Sequence, residues 1–208
     1  MSTARIRETR PDEGQVRVQV AAIGLSALGT QLAGTVDAVG KESIGFARGD
    51  RVAFSAPAPR DSARIIVDER ELIGVPADVS LDAAAAVMPC ATLARTVVKQ
   101  VHTIGRGDRV HVADASAIAP FVCAWVDYLG ASLEPSDGSA DVVVTTADVR
   151  TARSVGGAHG TTQQAAADVY AAVRSGAFDG IRLSTPEEAR QGSRSPVLLH
   201  PAPMGLAA

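Results

Sequence analysis

The chain has 208 residues, of which 46% are hydrophobic and 3% aromatic, and a formal net charge of −3. That is enough apolar material for a core, which excludes global disorder, and enough length for one large domain or two small ones. Without a basic run and with so few aromatics, it has no clustered cations or stacking rings with which to bind nucleic acid.

Residues 1–14 are polar and close on a turn at Pro11 and Gly14. QVRVQVAAI (15–23) alternates polar and apolar residues, the pattern of a half-buried strand. GLSALGTQ (24–31) reads as a loop. LAGTVDAV (32–39) is a second strand, and FARGDRVAF (46–54) turns at Gly49-Asp50 into a third. After a Pro-rich break, ARIIV (63–67) is a strand and ELIGVP (71–76) is short and extended. Short strands separated by turn signals predict a compact β-barrel.

The pattern then changes. Ser80 is placed to cap LDAAAAVMPCATLARTVVKQV, and Pro89 predicts two helices with a bend before Cys90, the second over 92–101. GRGDRVHVADASAIAPFVCAWVDYLGA (105–131) is a glycine-bearing loop, a buried strand (109–113), a turn and a helix, which is the opening β-turn-α of a dinucleotide-binding domain. Residues 132–135 allow a short second strand. DVVVT (141–145) is a β-branched strand of the buried parallel type. Residues 151–162 are Gly-rich and read as a loop or a very short strand, and 163–175 as a helix ending at Gly176. Residues 181–184 are extended, Thr185 caps a short helix in PEEARQG, and PVLLH (196–200) is a last strand.

Cys90 and Cys123 lie in apolar surroundings, as core residues rather than a disulfide framework. His102, His111, His159 and His200 are scattered without metal-ligand spacing, so no metal is expected. With no secretory leader and no apolar run judged long enough to cross a bilayer, a cytoplasmic protein is expected.

Five segments, in order, resemble the medium-chain dehydrogenase/reductase superfamily, specifically its quinone oxidoreductase branch and the enoylreductase domains of polyketide synthases. GQVRVQVAAIGLSALGT looks like the family's first barrel strand and active-site loop. LAGTVDAVG with GFARGDRVAF looks like its paired strands, and IIVDERELIGVPADVSLDAAAAVMPCATLA like its barrel exit and linking helix. GRGDRVHVADASAIA stands at its phosphate-binding loop, and LSTPEEARQGSRSPVLLHP resembles its closing helix and strand. The resemblance implies an α/β protein: a GroES-like β-barrel over 1–79, partly completed by 181–203, and linking helices with a reduced Rossmann-like parallel sheet over 80–180. Relative to full members, material is missing after Thr30 and around 133–141 and 148–163.

The resemblance also implies where a nicotinamide nucleotide would be held, and there the chain departs. The family's Asn and acidic residue near the nicotinamide correspond to Ser26 and to Gly29 or Thr30. Its helix Thr corresponds to Ala94. The glycine-rich turn is replaced by Ser116, Ala117, Ile118 and Ala119, followed by Pro120. No cofactor is therefore expected, and the cleft between the halves remains as a pocket. Its expected lining is Ser26, Thr30, Cys90, Thr92, Asp114 and Ser116.

Several roles stay open. Asp114, at the carboxyl end of the first parallel strand, is either a general acid or base or a cap of the following helix. Cys90 is a nucleophile or core packing. His102 and His111 are functional, structural or solvated. Glu134 is a remnant ribose-binding acid or a turn residue before Pro135. Trp125 is buried or at an interface.

Three functions compete: a cofactor-independent cyclase, cycloaddition catalyst or isomerase on a polyketide-type small molecule; a non-catalytic partner protein; and a reductase with an altered nucleotide mode. The expected partner is a small apolar substrate, without nucleic acid or membrane, and a homodimer is possible.

Overall fold

The structure is a computed structural model that describes residues 10–26, 28–57, 63–113, 117–155, 163–185, 187–188 and 196–201. Two sheets meet across one long helix. The first, antiparallel sheet holds β1 (Gln15–Ser26), β2 (Gly29–Val39), β3 (Arg51–Ser55), β4 (Arg64–Asp68) and β5 (Ile73–Gly74) in the order β4-β1-β2-β3-β5. The long helix is α1 (Leu81–Thr96). It is followed by β6 (Arg109–Val112), α2 (Ala119–Tyr128), β7 (Ser132–Leu133), β8 (Val142–Val144), α3 (Thr146–Val155), α4 (Gln163–Arg174) and β9 (Val197–Leu199). β9 returns to the first sheet and pairs antiparallel with β1, placing Leu199 opposite Ile23 and Val197 opposite Leu25. β7, β6 and β8 form the second, parallel sheet.

The alternation read in 15–23 does bury one face: Val16, Val18 and Val20 point inward between half-buried Arg17 and Gln19. The strand then runs past the expected loop. β1 continues to Ser26 and β2 begins at Gly29, so most of 24–31 is a tight hairpin with Gly24 opposite Gln31 and Leu25 opposite Thr30. Its small residues looked loop-like in sequence, yet cross-strand pairing accepts them.

α1 is the hub. Ser80 caps it, its Oγ accepting from Ala83 N at 3.0 Å. Ala84, Ala85, Ala86, Met88, Ala91 and Ala94 are all buried, and the helix packs against β1, β2 and β3 on one side and α2, α3 and α4 on others. The expected break at Pro89 is absent, since the proline sits inside one continuous helix. Proline offers no N–H to the carbonyl four residues back, which is that of Ala85. Against that same carbonyl lies Gly24 of β1, so closely that a Cβ on Gly24 would stand 2.5 Å from the Ala85 carbonyl carbon. The missing helical bond and the missing side chain meet at one point, and tertiary packing there keeps the helix whole.

Beyond Thr96 the helix widens into a π-type turn, Val97–Val101, in which His102 N donates to Val97 O. The whole run Leu81–Val101 is 21 residues with mean hydropathy 1.4, long and apolar enough to cross a bilayer by length and composition. The sequence expectation of no such run is corrected to that extent. Much of it is buried within the protein, 56% of its most apolar window, as in a core helix enclosed on several sides.

The parallel half is small. β6 carries β7 on one side and β8 on the other, with Val110 opposite both Leu133 and Val142. α3 corrects the reading of 151–155 as Gly-rich loop: Thr145 and Asp148 cap it, Asp148 Oδ2 accepting from both the amide and the hydroxyl of Thr145 at 2.8 Å. One apolar cluster unites Ala22, Ala33 and Ala53 of the first sheet with Val110, Trp125, Val144 and Val169 of the second half.

Candidate functional site

Strand order reverses at β6, because the chain goes first to β7 and then back across to β8. In open α/β sheets ligands approach the carboxyl ends of the strands at such a point. Here that position is the segment following Val112. Asp114, Ser116 and Ala115 between them lie outside the described residues; Ala117, Ile118 and Ala119 are described.

Helix α2 starts from Ile118, which makes no side-chain capping bond and is 1% exposed. Its buried side chain belongs to the apolar core shared with α1 and α2. Pro120 lacks an N–H, and the amides of Phe121 and Val122 both donate to Ile118 O at 3.0 Å. A helix N-terminus binds phosphate through amides that point outward. Within the described part of the turn, Pro120 has no amide to offer and that of Phe121 is turned back onto Ile118 O, while the Val122 bond is the helix's ordinary first one.

The structure brings two of the expected residues together. Ser26, at the end of β1 and on the same face as Gly24, comes near enough to Cys90 of α1 to act on its thiol. Ser26 Oγ also accepts from Leu28 N at 3.1 Å and lies 3.4 Å from Gly29 O. Cys90 is buried. Burial pushes its thiol up to about 11, against smaller opposing effects from Ser26 and from Arg153 at the end of α3. A buried thiol raised in this way suits core packing better than nucleophilic attack.

The other two described candidates stand apart. Thr30 pairs with Leu25, one residue before Ser26, so it faces the opposite side of the hairpin. Thr92 is two residues beyond Cys90, about 200° around the helix. Its Oγ is buried and, among the described residues, has no hydrogen-bond partner. Of the expected lining, that is the buried hydroxyl left without a partner among the described residues.

The remaining candidates have structural partners. His111 Nδ1 lies 2.9 Å from Glu134 O, tying β6 to the loop after β7. Glu134 follows β7, its amide donating to Val110 O at 2.8 Å and its carboxylate accepting from Ser139 Oγ at 2.8 Å. Trp125 is fully buried, its Nε1 donating to Ala91 O at 2.9 Å.

Sequence reasoning missed a cluster at the carboxyl end of β8. His102 Nε2 stands 3.1 Å from Asp148 Oδ1, an ion-pair distance without hydrogen-bond alignment. Burial acts to raise the Asp148 carboxyl, but the bonds from Thr145 and the nearby His102 outweigh it and hold the group below its ordinary value. The spacing Thr145-x-x-Asp148 is a capping signal visible in the sequence; the approach of His102 is not.

An antiparallel sheet that takes in β9, a linking helix and a small parallel sheet make a mixed α/β fold similar to that of medium-chain dehydrogenases/reductases, which pair a GroES-like domain with a Rossmann-like one. Within that class the similarity is to quinone oxidoreductases. A curated quinone oxidoreductase of Pseudomonas aeruginosa is 31% identical over 144 residues, covering 59% of this chain and 44% of that protein. The crystal structure of the quinone oxidoreductase of Pseudomonas syringae pv. Tomato DC3000 is 26% identical with TM-score 0.51, covering 72% of this chain and 51% of that one. The Escherichia coli quinone oxidoreductase complexed with NADPH shares the fold at 22% identity and TM-score 0.52, over 69% of this chain and 54% of that one. The chain thus spans about half the length of these relatives. No family model matches it.

Proposed function

We propose that this quinone oxidoreductase-like chain works without a nicotinamide nucleotide, as a cyclase, cycloaddition catalyst or isomerase that orients a small apolar molecule between its two halves. The observation that carries the reading is the start of α2. Buried Ile118, amide-less Pro120 and the inward amide of Phe121 leave a poor seat for a diphosphate. The chain carries Ser26, Thr30 and Ala94 where the resemblance implies nicotinamide contacts. Catalysis by orientation needs a shaped apolar wall and few polar groups. Thr92 Oγ is a buried hydroxyl without a partner among the described residues, and a substrate oxygen admitted beside α1 would supply one.

Calorimetric titration and thermal unfolding with NADPH and NADH test the reading. A nucleotide at a hundred times its Kd would stabilise by about 2.7 kcal/mol. For a chain of this size that raises Tm by roughly 5–11 °C. No heat and no shift are expected; a shift of that size would restore hydride transfer as the function.

A second reading, a non-catalytic binding or partner protein that can pair as a homodimer, is favoured by the way Ser26 is spent within its own hairpin and Cys90 in the core. Incubation with enone and polyene probes separates the two, since turnover supports the first and binding without turnover the second.

A further inference from the structure

Away from the strand ends, a cavity of about 250 Å³ opens between the first two turns of α1, the last turn of α4 and the segment 178–183. Its walls are apolar, built by Val87, Val173, Phe178 and Ile181, with Leu183 also lining it. Phe178 is buried and Leu183 is 39% exposed, so the cavity has a closed floor and an open apolar lip.

The polar side chains lining it are two carboxylates, Asp82 and Asp179, and no basic side chain is among the lining residues. Asp82 has His200 Nε2 at 3.0 Å from its Oδ1. Arg174, next to Val173, is engaged outside with Asp78 at 2.7 Å. Asp179 is exposed and makes no ion pair among the described residues. An apolar cup with uncompensated negative charge selects a particular ligand. Its body must be apolar, its head cationic, and its size below that of the drug-like molecules that fill pockets of roughly 300–1,000 Å³.

We propose that this cavity binds a small organic ammonium compound, a short alkyl or aryl stem seated against Val87 and Phe178 with its charged nitrogen at Asp179. The site is separate from the region around Ser26 and Cys90 and does not depend on the function assigned there. A lysine side chain of another protein carries the same chemistry, so the test must separate a free amine from a peptide.

The test is ligand-observed and protein-observed NMR on the full chain with n-hexylamine, hexan-1-ol, hexanoate and a lysine-containing tetrapeptide. Hexylamine is expected to bind more tightly than hexanol by roughly two- to fivefold, the value of an exposed charge pair. That advantage should shrink with added salt, and hexanoate should not bind. In Asp179→Asn the amine should fall to the alcohol's affinity while the alcohol is unchanged. In Leu183→Arg, a surface change that leaves the core alone, the amine should be lost. Hexanoate binding as tightly as hexylamine, an unchanged amine preference in Asp179→Asn, or binding of the tetrapeptide without hexylamine would each overturn the proposal.

Discussion

Replacing Gly24 by alanine tests the contact on which α1 rests. A Cβ there would stand 2.5 Å from the Ala85 carbonyl carbon and 3.1 Å from Ala86 N, all backbone atoms that no rotamer change can move. Comfortable separation between non-bonded heavy atoms is about 3.5–4.0 Å. α1 or β1 must therefore yield by about 1 Å, and α1 is packed against β1, β2, β3 and β9 and against α2, α3 and α4. Overpacking a tight interior costs typically 1–3 kcal/mol, and a shift of backbone belongs at the upper end, about 3 kcal/mol. At 2–4 °C per kcal/mol for a chain of this length, Tm should fall by roughly 6–12 °C. Thermal unfolding followed by far-ultraviolet circular dichroism reads this directly. Gly105→Ala is the control, because nothing lies within 4 Å of its Cβ position; it should change stability by no more than about 0.5 kcal/mol. If Gly24→Ala melts within about 2 °C of the parent, the close packing of strand on helix is not what holds α1 across Pro89.

Other predictions follow from single groups. Thr92→Val removes a buried hydroxyl that has no partner among the described residues, so it should stabilise the free protein by about 1 kcal/mol in urea titration; if Thr92 also bonds the substrate, the same variant should bind it more weakly. Cys90, pushed up to about 11 by burial, is thiolate in about one molecule in a thousand at pH 8; Ellman's reagent should leave it unmodified in the native protein and label it on unfolding, and rapid native labelling would contradict its packing role. Asp168 on α4 is desolvated, yet Arg95 at 2.6 Å and Lys99 at 3.4 Å hold its carboxyl below the ordinary 3.8. A depressed native value stabilises above the unfolded value and is lost as pH falls through the native one. The stability gap between the parent and Asp168→Asn should therefore narrow as pH drops below about 4, and a gap constant across that range would refute the ion pair's contribution.

Much of the architecture was legible because it rests on local periodicity. The alternation at Val16, Val18 and Val20 announced β1, the Ser80 cap announced α1, and the β-branched run at 142–144 announced β8. What failed depended on partners distant in sequence. Pro89 reads as a helix break unless Gly24, 65 positions earlier, is known to pack against the freed carbonyl. The hairpin at Ser26–Gly29 reads as loop because its residues are small, and only the β2 register shows it is paired. α3 was hidden by the glycines that follow it, although its Thr145–Asp148 cap was written in the chain. At the site, residue types suggested a shared pocket for Ser26, Thr30, Cys90 and Thr92. Strand and helix periodicity instead turn Thr30 and Thr92 away from the Ser26–Cys90 pair. Asp114 and Ser116 lie outside the described residues.

The sole tryptophan gives this protein a built-in optical reporter. Trp125 is wedged where α1 and α2 meet, with Tyr128 edge-on at 5.4 Å, Phe178 at 5.8 Å and the Lys99 ammonium 5.8 Å from its ring. Its emission should be blue in the native chain, and should redden as soon as the two helices separate. Because Phe178 also floors the ammonium cavity, a ligand settling there would perturb the indole's neighbour, so a single unlabelled cuvette can follow both the integrity of the central joint and occupancy beside it.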